Sequence, residues 1–86
     1  MEPKLVLILE NLLKNSFREN EYKKLTLEQA KDICNCEIGG FIERNKNSPD
    51  GLVASKLLTK IKKSKTVVDI LMLISEKYFS LQGMDA

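Results

Sequence analysis

The chain has 86 residues, of which 43% are hydrophobic and 30% charged, with a formal net charge of +2. That length supports one domain, residues 1–86, with a modest core. The sequence contains no histidine, so the commonest general base is missing and no catalytic residues are predicted.

Only two prolines and four glycines occur, and Leu, Ile, Lys and Glu outweigh the strong β-formers, a balance that favours helices. The first helix is expected over about residues 3–18. Pro3 sits at its first turn, Leu5, Leu9, Leu12 and Leu13 form its apolar stripe, and Val6 and Phe17 flank it. Glu10, Asn11, Lys14 and Asn15 face outward, and Leu7 falls off the stripe. The apolar run Leu5–Leu9 is cut short by Glu10 and is followed by no small-residue cleavage site, so no signal peptide is expected. A second run, Ile70–Ile74, is equally short, and neither approaches the roughly 20 apolar residues a membrane span needs.

The second helix is expected over 26–45. Thr26 and Gln29 have capping-box spacing, with Leu25 placed to staple the turn. Leu27, Ala30, Cys34, Ile38 and Phe41 keep one face, with Ile33 and Ile42 beside it. Gly39-Gly40 either ends the helix or is carried through it. The unbroken phase from Ile38 to Phe41 favours one helix, with the glycines letting a neighbour approach closely. Cys34 and Cys36, two apart on a helix, point to different sides, so no bridge between them is predicted. With no CxxC and no histidine, neither a metal site nor any cofactor is expected, and a reduced, cytoplasmic setting fits.

The third helix, 49–63, carries the clearest signals. Ser48 caps it, Pro49 fits its first turn, and Asp50 suits the positive end of the helix dipole. Val53, Leu57 and Ile61 recur at helical spacing with Ala54 and Leu58 alongside, and Lys56, Lys60 and Lys63 fall on the opposite side. The fourth helix, 66–82, opens at Ser64 or Thr66 and has Val67, Ile70, Leu71, Ile74, Tyr78 and Leu81 on its core side. Val68, Met72 and Phe79 widen its apolar face, and Gly83 is the expected stop. Four helices with short connections predict an all-α fold, a single antiparallel four-helix bundle. An oligomer would bury Leu7, Met72 and Phe79 between chains.

Charge is distributed unevenly. Residues 1–50 hold 8 basic and 9 acidic side chains, residues 51–68 hold five lysines and no acid, and residues 69–86 hold one lysine and three acids. The candidate partner-binding residues are therefore Lys56, Lys60, Lys62, Lys63 and Lys65, facing phosphates, an anionic membrane or an acidic protein. The plainer reading is a solvated helix face.

Two resemblances suggest a function. Leu25-Thr26-Leu27-Glu28-Gln29-Ala30-Lys31-Asp32-Ile33 looks like the first helix of a repressor-type helix-turn-helix, and Ile42 to Pro49 is similar to the end of that family's recognition helix and the following loop. The spacing between these pieces is about one residue short, and Glu37, Ile38, Gly39 and Gly40 stand where base-reading side chains are expected. Asp32-Ile33-Cys34, followed by Glu43-Arg44-Asn45-Lys46-Asn47-Ser48-Pro49-Asp50-Gly51-Leu52-Val53, resembles the second helix, charged exit and third helix of another family, with Leu57 or Leu58 and Ile61 completing the third. These are the small immunity proteins with which low-GC Gram-positive bacteria withstand their own class IIa bacteriocins. The resemblance implies an antiparallel four-helix bundle in the cytoplasm. It also implies a protein partner, the complex of toxin and membrane receptor at the inner membrane face. Bacteriocin immunity is thus the expected function, and a helix-turn-helix DNA-binding regulator is the alternative.

Overall fold

The computed structural model describes residues 4–84, the side chain of Met84 excepted. Four helices follow in order: α1 at Leu5–Lys14, α2 at Leu27–Arg44, α3 at Pro49–Lys63 and α4 at Val67–Met84. Among the described residues there is no strand, and the helices form the expected all-α antiparallel bundle. α2 packs most extensively on α3, and α1 on α4. The Lys31 ammonium, near the start of α2, donates to the Lys62 carbonyl near the end of α3 at 2.8 Å, as the opposite directions of the two helices allow. Among the described helices, none is long and apolar enough to cross a membrane.

The core is a single apolar cluster to which every helix contributes. Leu9, Cys34, Ile38, Ile61, Ile70 and Ile74 have no exposed surface. Each side chain of Leu or Ile size buried this way contributes about 1.5–3 kcal/mol. Among the described residues no polar or charged side chain is buried. Periodicity places nearly all of these residues correctly. Ile8, 7% exposed, is an addition on α1.

The first helix is shorter than the sequence predicts. Pro3 lies outside the described residues, and α1 ends at Lys14 rather than near residue 18. Asn15 leaves helical geometry, and its side-chain amide donates to the Asn11 carbonyl at 2.9 Å. Asn and Ser offer the backbone such alternatives to continued helix. Phe17 supplies the second reason. In a continuous helix it would sit about 120° around the axis from Leu5, on the flank of the stripe. The break brings it inward, to 2% exposure. The chain then crosses to α2 through turns and a short 3₁₀ segment, Tyr22–Lys24.

α2 begins with the expected capping box. The Gln29 amide donates to Thr26 Oγ1, and the Thr26 amide to Gln29 Oε1, both at 3.0 Å. It runs through Gly39-Gly40 without interruption. The expected close approach there does not occur. A Cβ at Gly39 would meet only Asn35 Oδ1 at 3.9 Å, and one at Gly40 only an Arg44 guanidinium nitrogen at 3.3 Å, both on α2 itself. In α4, Gly83 is not a stop, because the helix continues to Met84. Thr66 is the cap of α4, its Oγ1 accepting from the Asp69 amide at 3.1 Å.

The close approach that does exist is at Gly51. A Cβ there would overlap the Asn45 carbonyl. The Ser48 hydroxyl accepts from the Gly51 amide at 3.1 Å and donates to that same carbonyl at 3.0 Å. The cap of α3 is therefore also a clasp on the exit of α2. Gly51→Ala is expected to lower stability by about 1–3 kcal/mol, as overpacking does. Gly39→Ala, with room for a methyl, should raise it by about 0.5–1 kcal/mol. Urea unfolding midpoints measure both, and an unchanged midpoint for Gly51→Ala would mean that the corner relaxes freely.

Candidate functional site

α3 turns Ala54, Leu57, Leu58 and Ile61 into the core and leaves its lysines in solvent. The five candidate lysines are all exposed, but they do not form one patch. Lys56, Lys60 and Lys63, spaced by four and three residues, share the flank facing α4. There they border an open depression of ≈ 570 Å³ whose wall is mostly apolar and includes Val53 and Leu57. Lys62 lies about 160° around the helix from Lys60, on the α2 flank, where its carbonyl receives the Lys31 ammonium. Lys65 sits in the connection to α4 and lines a second depression of ≈ 470 Å³ with Lys60, Lys63, Met72 and Leu73. Asp69 and Glu76 stand at that end.

Lys77 of α4 completes the first depression. Sequence reasoning placed it in an acidic C-terminal stretch and missed it. Its signal was its register, four residues after Leu73 on one helix flank. Among the described residues, none of Lys56, Lys60, Lys63 or Lys77 forms an ion pair. Ion pairs elsewhere on the surface include the local ones Lys14–Glu10 at 3.6 Å, Lys24–Glu21 at 3.7 Å and Lys46–Glu43 at 3.2 Å. Four ammonium groups outside any ion pair around a shallow groove give a positive potential that salt screens over about 8 Å.

The remaining polar feature joins α1 to α4. Tyr78 donates its hydroxyl proton to Glu10 Oε1 at 3.1 Å and accepts from the Gln82 amide at 2.9 Å. Partial desolvation, then the bond to and negative charge of Glu10, push the phenol pKa upward, with the Gln82 bond opposing. Tyr78 also meets Phe79 edge-on, ring centres 5.4 Å apart. On the outer side of α4, Val68, Met72 and Phe79 are exposed, Phe79 by 65%, and Leu7 is exposed on α1. Among the described residues, no three His, Cys, Asp or Glu side chains converge as metal ligands would.

The segment 26–47 does not have helix-turn-helix geometry. Its first piece and the start of its second belong to the one helix α2, which runs Leu27–Arg44 without a turn. Comparison of the chain with protein-family models, curated proteins and solved structures finds no match.

Cys34 is buried and Cys36 exposed, and both are free thiols. Desolvation pushes the Cys34 pKa from 9.0 up to about 12. Cys36 alone should therefore react with a thiol reagent in the native protein, with Cys34 reacting only on unfolding. Because the folded pKa is raised, this contribution to stability is complete below pH 9.0 and is lost as pH climbs toward about 12. Cys34→Ala should remove that component of the alkaline slope, as read from urea unfolding across the range. Equal slopes would show that other groups carry it.

Proposed function

We propose that this chain is a non-catalytic binding protein of the bacteriocin-immunity type, acting in the cytoplasm on a protein partner at the inner membrane face. The observation that carries this reading is the display of Lys56, Lys60 and Lys63, none of them ion-paired among the described residues, along one flank of α3 in a small antiparallel four-helix bundle. Such a display suits an electrostatic contact, because like charges held on one rigid face steer and orient an oppositely charged partner. Lys56, Lys60, Lys62, Lys63 and Lys65 are the residues assigned to the contact.

The rival reading, a regulator that grips DNA through residues 26–47, requires a turn that α2 lacks. It is also separable in solution. A DNA binder loses affinity for random duplex steeply as salt rises, in proportion to the phosphates it neutralises.

The test is protection. Expressed in a cell sensitive to a class IIa bacteriocin, the chain should raise survival. Replacing all five lysines with glutamine should abolish that gain while leaving the helical circular dichroism intact. If no class IIa toxin is resisted by cells making the folded protein, the immunity reading falls.

A further inference from the structure

The two depressions beside α3 adjoin each other. They share Lys60 and Lys63, and together they run along the seam between α3 and α4 from Val53 to Lys65. From Val53 to Lys63, where α3 ends, that is ten helical rises, about 15 Å. The seam is open because α3 packs chiefly on α2 and less extensively on α4. Its apolar lining comes from Val53 and Leu57 at one end and from Leu73 at the other, with the exposed Met72 at its outer edge. Its rim is cationic, with Lys56, Lys60 and Lys63 on α3 and Lys77 on α4.

Resting on the binding-protein reading above, we infer that this seam is the docking groove for an acidic amphipathic helix of a partner protein. A rod-shaped ligand suits a trough between two neighbouring helices, which it would pack against as a further helix packs in a bundle. The apolar lining accepts one face of that rod. The carboxylates on its flanks then meet ammonium groups from both walls, none of which is in an ion pair among the described residues. Charge also sets direction. Asp69 and Glu76 line only the Lys65 end, so the partner's acidic residues gather toward Lys56 and Lys77 and a basic residue fits the other end. The groove uses Lys77, Met72 and Leu73, and it does not use Lys62, which lies on the opposite flank.

The probe is a fluorescent model peptide of about 15 residues, with leucines at helical i, i+3, i+4, i+7 spacing and glutamates on both flanks. Anisotropy titration of the intact protein at low salt should show saturable binding that weakens as salt rises. The paired substitutions Lys60→Glu and Lys77→Glu should weaken binding about tenfold or more, since each turns an attraction into a repulsion. Met72→Asn, at an exposed position that folding does not need, should weaken it several-fold. Lys62→Glu should leave it unchanged. The groove assignment is overturned if a scrambled peptide of the same composition binds as well, or if Lys62→Glu matches the paired substitutions. It is also overturned if random duplex or phosphatidylglycerol vesicles outcompete the peptide for the same lysines. Failure of the groove and failure of immunity look different. Lysine-dependent protection without peptide binding sinks the groove alone, and peptide binding without protection sinks immunity alone.

Discussion

The tightest steric constraint at any glycine of the chain sits at the corner between α2 and α3. The Asn45 carbonyl occupies the space a side chain at position 51 would need, and the Ser48 hydroxyl ties that carbonyl to the first turn of α3. A helix is stiff, so fixing its first turn fixes the rotation of every residue after it. A slip of one residue about the axis, roughly 100°, would carry α3 far enough to exchange core leucines for lysines. Burying an unpaired ammonium costs several kcal/mol, so the corner and the core enforce the same answer. The display of Lys56, Lys60 and Lys63 toward α4 is thus set several residues upstream, by a glycine that touches none of them.

The rest of the bundle is held more loosely, and this shapes its surface. α2 and α3 form the best-packed pair, reinforced at the far end by the Lys31–Lys62 bond. A lysine ammonium on a terminal carbonyl satisfies one of the orphan acceptors at the helix end and complements its dipole. α1 and α4 form the other pair, linked at its edge by Tyr78 and Glu10. Between α3 and α4 the contact is thinner, and apolar side chains are left lining a seam rather than filling it. A four-helix bundle built as two strong pairs has its weak seams where the pairs meet, and here one of those seams is also the cationic one.

How much of this was legible in the sequence depended on whether a segment carried its own boundary signals. α3 was read to the residue, 49–63, because Ser48, Pro49 and Asp50 mark its start chemically and its lysines mark its solvent side. The capping box made the start of α2 equally clear. The end of α1 was not legible, because Leu5 to Phe17 keeps a plausible helical rhythm. Only the presence of a core in three dimensions makes it favourable to break the helix at Asn15 and turn Phe17 inward. The glycines divided in the same way. Gly39-Gly40, conspicuous in the sequence, proved to be a tolerated weakness in a continuous helix. Gly51, inconspicuous between Asp50 and Leu52, is the one that nothing larger can replace without strain.

The candidate site was half legible for a related reason. Counting charge along the chain finds α3, since five lysines fall within one stretch without an acid. It cannot find Lys77, whose sequence neighbours are acidic or neutral and whose spatial neighbours are Lys56, Lys60 and Lys63. Nor can it separate Lys60 from Lys62, adjacent in any window yet on opposite flanks of the helix. Net charge per segment measures how strongly a region attracts anions at a distance, and that survives in the sequence. Which ammonium groups can meet one ligand at once is a question of helix rotation and pairing. Both are settled at the α2–α3 corner and in the choice of which helices pack closely. The specificity of this surface therefore resides in the packing, and its attraction in the composition.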